Sequence, residues 1–526
     1  MREFWKPGRS AVHAAEAAVA TSHPLASAAA VDVLRRGGNA VDAAIAAAAV
    51  LCVVEPGMTG IGGDAFALYM PAGAAVPLAL NGAGRAPAAA EAGWYRERGI
   101  SAILQGGPHA VTVPGAVAAW CRLVEDHGTR PLAELLEPAI RYAEQGYPVA
   151  PRVAWDWSRE APRLAGDPWA ARHLLVDGVA PRVGTRHRQP VLGATLRRIA
   201  AQGRAGFYEG EVAADLIGRL RELGGLHTEE DFAQSSADYV TPIRTGYRGF
   251  DLWECPPNGQ GIAALVILNL LAGFAPGRMD AADRLHLHAE ATKLAYHNRD
   301  LLVGDPATMP MPAEAILSDA FAARLRPRIS LERAGEPAAW DDAEHKDTTC
   351  LSVVDRDGNA ISWIQSLFHA FGSGIVGPRT GVLLQSRGVS FRLDDGHPNL
   401  IGPRKRPMHT IIPGLLARGG RAVMPFGVMG GHYQAAGHAA LVSELLDRGT
   451  ELQAAVDAPR SFAFGGQLQL EPGVDAALAA ELERRGHRIQ RLEGPLGGAQ
   501  AVWIDHDAGV LTAASDPRKD GCALGY

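Results

Sequence analysis

The sequence predicts a globular protein that mixes α-helices and β-strands, of the α/β or α+β class. The chain has 526 residues, of which 47% are hydrophobic and 21% charged, so it can bury a large core and is not a disordered chain. Helical patterns dominate its N-terminal part. Alternating apolar and polar residues, typical of β-strands, begin near Thr348.

Composition and charge argue against several classes of function. The net charge is −6, which leaves no basic surplus to neutralise phosphates, so nucleic acid is not expected as a partner. The five cysteines are scattered without a CxxC pair, which argues against a disulfide framework or a cysteine metal site. No secretory signal is visible, and the longest apolar run, Ala43–Val54, is too short to cross a bilayer. We expect a cytoplasmic protein without membrane contacts.

The first elements follow from their end signals. A helix is predicted from Pro24 to Arg36, with Gly37 and Gly38 as its C-terminal stop. Asn39 can cap a second helix that starts near Ala40. A glycine-dense loop then leads into a predicted strand, Ala65–Met70.

The later elements change in character along the chain. Residues 85–170 are expected to be mostly helical, and a further helix is predicted over Ala282–Arg299. Residues 330–347 are polar and aperiodic, which indicates an exposed loop. A β-hairpin is predicted directly after that loop, with strands Thr348–Val354 and Ala360–Ser366.

Two local patterns favour no cofactor. The loop Gly57–Gly63 lacks the Lys-Ser/Thr ending of a phosphate-binding loop and is expected to serve a tight turn or close packing. His286, His288 and Glu290, with His297 further on, do not have the spacing of a zinc-protease motif. We interpret His286 and Glu290 as an ordinary surface pair one helical turn apart, and predict no metal.

The boundary between Asp347 and Thr348 is more informative. A threonine that opens a strand after an exposed loop stands where a self-cleaving nucleophile would lie. Its hydroxyl would attack the Asp347 carbonyl, and cleavage would expose an α-amine that suits a general base near neutral pH. Taken alone, a threonine at a strand start is usually structural.

The chain resembles the γ-glutamyltranspeptidase family of N-terminal-nucleophile hydrolases along almost its entire length. The matching stretches are Gly37–Ala43, Glu55–Gly63, Val113–Gly115, Gly206–Gly210, Gly224–Asp231, Glu290–Lys293, Asp300–Pro306, Thr348–Asp355, Phe371–Ile375, Lys405–Pro407 and Gly430–Gly431.

The resemblance implies a four-layer αββα sandwich and a proenzyme cut into two subunits, residues 1–347 and 348–526. Together the subunits would form one αββα unit, and two such pairs could associate. Thr348 would be the nucleophile and Ser366 its supporting hydroxyl. Backbone N–H groups of Gly430 and Gly431 would form the oxyanion hole. The substrate would be a small-molecule amide, with no cofactor.

The substrate anchors depart from the family pattern. Arg85 is displaced by two positions from the place of the carboxylate-binding arginine, where Ala83 stands. Ser390 replaces the aspartate that binds the α-amino group, and Arg387 is a new cation nearby. The remaining replacements in the expected substrate-binding set are Phe368, His409 and Thr410.

These replacements favour the divergent branch of the family that contains cephalosporin acylases and oxamate amidohydrolase. We therefore expect a self-processed amide hydrolase for a γ-glutamyl or related carboxylate-bearing acyl group, with water the favoured acceptor and transfer to an amine left open. An oxamate, glutaryl or cephalosporin-type amidase without γ-glutamyl activity is the first alternative. A processed but inactive binding protein and a metal hydrolase using His286, His288 and Glu290 remain as rival classes.

Overall fold

The computed structural model describes residues 8–336 and 347–526. The strands are β1 (Val12–Ala14), β2 (Ala18–Thr21), β3 (Asp64–Met70), β4 (Leu78–Gly82), β5 (Tyr147–Pro148), β6 (Arg186–His187), β7 (Asp238–Val240), β8 (Ile243–Tyr247), β9 (Phe250–Glu254), β10 (Asp347–Val354), β11 (Ala360–Phe368), β12 (Gly414–Arg418), β13 (Arg421–Met429), β14 (Ser461–Phe464), β15 (Gln467–Leu470), β16 (Ile489–Arg491), β17 (Gly498–Asp505), β18 (Val510–Ser515) and β19 (Cys522–Gly525).

The helices connect and cover these strands. They are α1 (Pro24–Arg35), α2 (Ala40–Val54), α3 (Ala92–Glu97), α4 (Ala116–His127), α5 (Leu132–Gln145), α6 (Pro151–Leu164), α7 (Pro168–Leu174), α8 (Pro190–Gln202), α9 (Ala205–Tyr208), α10 (Gly210–Glu222), α11 (Glu229–Ala233), α12 (Gly261–Leu271), α13 (Ala281–Leu302), α14 (Ala313–Ile316), α15 (Asp319–Leu325), α16 (Tyr433–Arg448), α17 (Leu452–Asp457) and α18 (Ala476–Arg484).

Two seven-stranded antiparallel sheets form the centre of the molecule. One sheet has the order β1-β18-β17-β13-β12-β9-β8, and the other has the order β19-β2-β10-β11-β3-β4-β7. Small apolar side chains such as Ala20, Cys350 and Ala513 fill the space between the sheets, together with larger ones such as Phe66 and Leu415. This layer of small residues lets the two sheets pack closely face to face.

A layer of helices covers the outer face of each sheet. Helices α2 and α4 pack on the sheet that contains β10 and β11, α5 packs on α2, and α8 packs on α5. Helices α12 and α16 pack on the sheet that contains β12 and β13, and α13 packs on α12. The arrangement is the four-layer αββα sandwich expected from the sequence, and the chain has the N-terminal-nucleophile hydrolase fold.

The central sheet combines strands from both sides of the Asp347–Thr348 boundary. Strand β10 pairs with β2 on one side, where Leu351 is opposite Thr21, and with β11 on the other. Strand β11 in turn pairs with β3, where Ser366 is opposite Asp64. Because the two sides share one sheet and one core, a cut before Thr348 would leave both pieces held together by this pairing.

Several local predictions are confirmed. Helix α1 ends before Gly37, which has a left-handed φ of 86°. Asn39 caps α2 through a capping box with Asp42, in which each side chain accepts from the other residue's backbone N–H. The hairpin β10–β11 forms where it was expected, and the Asp355 carboxylate accepts from the backbone N–H of Asn359 to stabilise its turn.

Other predictions need correction. Residues 85–170 contain helices α3 to α6 and the start of α7, but turns and irregular segments occupy much of the stretch before Ala116. The surface interpretation of His286 and Glu290 is wrong, because both side chains are buried. Of the predicted loop 330–347, residues 330–336 contain no helix or strand, and residues 337–346 lie outside the described part.

Within the described residues, no helix combines the length and the apolar character needed to cross a membrane.

Candidate active site

Thr348 lies at an irregularity in the pairing of strands β10 and β11. Asp347 is opposite Phe368 and Thr349 is opposite Gln365, so Thr348 alone faces the two residues Ser366 and Leu367. The extra residue of this bulge therefore belongs to β11, and a bulge re-aims the side chains of its strand. Thr348 lies opposite the bulge and is almost fully buried.

The hydroxyl of Thr348 is hydrogen-bonded to the side chains of Ser366 and Gln434. It donates to the Ser366 hydroxyl at 3.3 Å, and it accepts from the side-chain amide of Gln434 at 3.2 Å. The Ser366 oxygen also accepts from the backbone N–H of Phe368 at 2.8 Å. The two hydroxyls that the family resemblance assigns to the nucleophile and its support are thus in contact.

Glycines of the Gly57–Gly63 loop pack closely against the backbone of Ser366 and of Leu383. A Cβ atom at Gly63 would lie 2.3 Å from the Ser366 carbonyl oxygen, and one at Gly62 would lie 2.2 Å from the Leu383 carbonyl oxygen. Only glycine fits such distances. The Gly57–Gly63 loop therefore has the close-packing role expected from the sequence, and it packs directly against the site.

Gly430 and Gly431 form the turn between β13 and α16. Both have left-handed φ values, 123° and 59°, and a Cβ at Gly430 would approach Gly497 Cα to 2.9 Å. The Gly431 carbonyl accepts from the Gln260 side chain at 2.9 Å and from the Gln434 backbone N–H at 3.3 Å. Gln434 thereby joins this turn to the Thr348 hydroxyl.

Arg387 is a buried cation next to Phe368, whose backbone N–H donates to Ser366. Its guanidinium lies over the Phe368 ring, with 4.0 Å between Cζ and the ring centroid, and one nitrogen donates to the Thr410 hydroxyl at 2.8 Å. Its Nε and second terminal nitrogen have no hydrogen-bond partner among the described residues. Burial lowers the pKa of Arg387 to about 9. Unpartnered buried donors are costly, which makes them candidate ligand contacts.

Phe368 holds an unusual backbone conformation at this point. Its φ of 83° is in the left-handed region, which is rare for a large side chain. Such conformations persist only where the surroundings impose them, and they cluster at functional sites. Here the conformation places the Phe368 N–H on Ser366 and the Phe368 ring under Arg387.

Asp64 is the acidic group whose charge acts on Arg387. Both of its carboxylate oxygens already have hydrogen-bond partners. One accepts from the Gly115 N–H at 3.0 Å and from the Gln385 side chain at 2.8 Å. The other is 3.1 Å from Nε2 of His409. Burial, reinforced by the charge of Arg387, lowers the pKa of His409 to about 3, so this histidine is neutral at physiological pH.

The remaining residues of the expected substrate-binding set lie in different places. Thr410 and His409 contact Arg387 and Asp64, as described above. Ser390 ends the short helical turn Arg387–Ser390, and its hydroxyl is buried without a partner among the described residues. Arg85 is partly exposed, pairs with Asp238 at 3.4 Å and donates to the Arg404 carbonyl at 3.1 Å, beside a surface cavity of about 200 Å³.

His286 and Glu290 of α13 form a separate cluster with His487. Side-chain atoms of His286, Glu290 and His487 lie within 4.8 Å of one another. His286 is hydrogen-bonded to His487 and to the Ser330 carbonyl, each at 2.7 Å, and Glu290 accepts from Lys293 at 2.6 Å. The protein itself thus supplies partners for these groups. His288 lines another cavity, of about 370 Å³.

Sequence reasoning missed two residues of the site. Gln434 follows the glycine pair by only a few positions, but nothing in its type or spacing indicates that its amide reaches Thr348. The sequence predicts a strand only from Ala65, whereas Asp64 opens strand β3 and accepts hydrogen bonds from residues far along the chain. Its position opposite Ser366 is visible only in the sheet register, so no local signal in the sequence identifies it.

Comparisons with known proteins agree with this architecture. The family model described as gamma-glutamyltranspeptidase matches residues 26–526. The oxamate amidohydrolase proenzyme of Klebsiella pneumoniae is 36% identical, over 96% of this chain and 97% of its own length. The glutathione hydrolase-like YwrD proenzyme of Bacillus subtilis is 35% identical, over 96% and 98%. The crystal structure of cephalosporin acylase from Bacillus halodurans superposes with a TM-score of 0.94 at 41% identity, covering 100% of this chain and 98% of that one.

Proposed function

The chain belongs to the γ-glutamyltranspeptidase family, and we propose that it is a proenzyme that cuts itself before Thr348 and then hydrolyses amides through that residue. The observation that carries the proposal is the contact of the buried Thr348 hydroxyl with Ser366 and Gln434 at a bulge in the central sheet. The relatives described as proenzymes support the processing step.

Self-cleavage uses only groups of this chain and water. Thr348 Oγ1 attacks the carbonyl carbon of Asp347, the C–N bond of that peptide breaks, and the hydroxyl proton ends on the released nitrogen. Water then hydrolyses the resulting ester, which leaves a carboxylate on Asp347 and a free hydroxyl on Thr348. Ser366, in the bulge of β11 opposite Thr348, accepts a hydrogen bond from the attacking hydroxyl.

Substrate hydrolysis repeats the same chemistry on a bound amide. The freed α-amine of Thr348 accepts the hydroxyl proton as Oγ1 bonds to the substrate carbonyl carbon, and it returns the proton to the departing amine. The backbone N–H groups of Gly430 and Gly431 are proposed to hold the negative oxygen that forms on that carbon. Water resolves the acyl-threonine ester, and the acid product leaves.

Arg387 supports a substrate whose acyl group carries a carboxylate. A carboxylate can accept two parallel hydrogen bonds from the planar guanidinium fork, and two nitrogens of Arg387 have no partner in the part of the chain that the structure describes. The Phe368 ring under the guanidinium fixes its orientation. A carboxylate bound here would also neutralise a buried charge, which adds to the free energy of binding.

The same surroundings argue against recognition of an α-ammonium group. Asp64 is the buried acid near this cation, and its hydrogen bonds from Gly115 and Gln385 and its contact with His409 occupy its oxygens. Ser390, at the position of the family's ammonium-binding aspartate, carries no charge. We therefore propose that glutaryl and oxamic amides are hydrolysed at least as well as γ-glutamyl amides, with water as the acceptor.

A matched substrate pair tests this proposal. Purified protein should hydrolyse a glutaryl anilide and a γ-glutamyl anilide, which differ only in the α-amine, and kcat/KM should be no lower for the first. The Thr348→Ala variant should hydrolyse neither. A preference for the γ-glutamyl anilide of a hundredfold, about 2.7 kcal/mol, would show that an ammonium site exists. Loss of activity on addition of a chelator, with Thr348→Ala still active, would support the metal hydrolase instead.

A further inference from the structure

Gln434 joins the two parts of the proposed catalytic machinery. It is fully buried in the first turn of α16, three residues after Gly431. Its side chain reaches the Thr348 hydroxyl, and its backbone N–H donates to the Gly431 carbonyl. The same residue therefore contacts both the nucleophile and the turn proposed as the oxyanion hole.

The orientation of the Gln434 amide follows from its partners. The backbone N–H of Ile412 donates to the Gln434 side chain at 3.0 Å, and a backbone N–H can only donate. The amide oxygen must therefore face Ile412. The amide nitrogen consequently faces Thr348 Oγ1, at 3.2 Å, and it can only donate there.

The direction of this hydrogen bond determines where the hydroxyl proton of Thr348 points. Because Gln434 occupies a lone pair of Thr348 Oγ1, the hydroxyl proton points elsewhere, and Ser366 Oγ at 3.3 Å accepts it. A donor aimed at an oxygen also stabilises negative charge on that oxygen more than it stabilises the neutral hydroxyl. Gln434 is thus placed to act whenever Oγ1 gains charge.

We propose that Gln434 is a catalytic residue that donates a hydrogen bond to Thr348 Oγ1 in both self-cleavage and amide hydrolysis. This inference rests on the proposed function of Thr348. Oγ1 gains negative charge as it loses its proton to form each ester, and again as it leaves the acyl carbon when water hydrolyses that ester. Gln434 stabilises Oγ1 at both stages, and in amide hydrolysis the α-amine of Thr348, freed by the cleavage, handles the protons.

Two variants distinguish the effect of the hydrogen-bond donor of Gln434 from the effect of its side-chain volume. Gln434→Met keeps the length of the side chain but removes the N–H donor. Gln434→Glu keeps the shape and the oxygen that accepts from Ile412, and at pH 9 it replaces the donor by a negative charge. Removing one hydrogen-bond donor from a catalytic oxygen typically costs about 10²–10³ in rate. We expect losses of that order in the self-cleavage rate and in kcat for both variants, with KM changed less than threefold.

Gln453 provides the matched control. It is also a buried glutamine, and its side chain donates to the Ser515 carbonyl at 3.0 Å and accepts from the Ser515 N–H at 3.2 Å. Gln453→Met should reduce thermal stability in the same way as Gln434→Met, but it should process and turn over at the normal rate. Thermal unfolding of all variants shows whether they are folded.

The experiment measures fragment formation over time and then kcat and KM on a glutaryl anilide. If folded Gln434→Met or Gln434→Glu is processed and turns over at the normal rate while Thr348→Ala stays uncut and inactive, the role of Gln434 is overturned. The proposed function of Thr348 would then still stand. If Gln434→Met is unfolded, the Gln434→Glu variant decides. Activity in Thr348→Ala would overturn the proposed function itself.

Discussion

The guanidinium of Arg387 stacks on the ring of Phe368, with 4.0 Å between the guanidinium carbon and the ring centroid. The pair links the proposed carboxylate-binding guanidinium to the nucleophile, because the backbone N–H of the same Phe368 donates to Ser366. Ser366 in turn accepts from Thr348. Binding at the guanidinium and chemistry at the hydroxyl therefore depend on one phenylalanine held in a rare backbone conformation.

Processing gives the first prediction. In proportion to length, the 55.5 kDa chain should yield a piece of about 37 kDa from residues 1–347 and one of about 19 kDa that starts at Thr348. Thr348→Ala should remain a single chain, because no hydroxyl is left to attack the peptide, whereas Thr348→Ser should still be cut. N-terminal sequencing of the small piece checks the site, and any start other than Thr348 would contradict the assignment.

Arg387 gives a prediction about substrate selection. Arg387→Met should raise KM for a glutaryl anilide by about 10- to 100-fold, since hydrogen bonds to a charged group contribute about 1.5–3 kcal/mol. KM for a neutral acyl anilide should change less than threefold. Thermal unfolding should show no loss of stability, because the substitution removes a buried cation with unpartnered donors. Equal effects on both substrates would mean that Arg387 only shapes the pocket.

The glycine turn gives a prediction about the oxyanion hole. A side chain at Gly430 would meet the backbone of Gly497 and would also have to adopt a left-handed φ, so Gly430→Val should displace the turn. Loss of one oxyanion donor typically lowers the rate about 10²–10³-fold, and kcat should fall by that order. Gly449→Ala is a suitable control, because Gly449 also has a left-handed φ but has open space around it. Unchanged kcat in a folded Gly430→Val variant would place the hole elsewhere.

Buried neutral histidines predict acid sensitivity. Burial lowers the pKa of His227 to about 4, from 6.5 in an unfolded chain. Between these values the unfolded state binds the proton and the folded state does not, so the free energy of unfolding falls as the pH is lowered from 6.5 towards 4. His227 contributes about 3 kcal/mol at most to this loss. Tm measured from pH 7 to pH 4 should fall less steeply in His227→Asn than in the unchanged chain, and parallel curves would rule out this contribution.

Much of the fold could be predicted because its signals are local. The stop at Gly37 and the cap at Asn39 predict the ends of helices α1 and α2. Alternating apolar and polar residues on both sides of a polar turn predict the β10–β11 hairpin. The position of Thr348 at the start of a strand is of the same kind. Each of these features depends on residues within a few positions of one another, so the linear sequence contains the information.

What the sequence by itself determined is therefore the class of fold, the positions of its first helices and of the β10–β11 hairpin, and the threonine that the family resemblance assigns as the nucleophile. Only the tertiary structure decided that Gln434 reaches Thr348, that Asp64 accepts from Gln385, and that His286 is buried rather than exposed. These contacts join residues tens to hundreds of positions apart. They exist because the two sheets and their helices stack in one register, and no local pattern of polarity encodes which distant polar groups that stacking brings within hydrogen-bond distance.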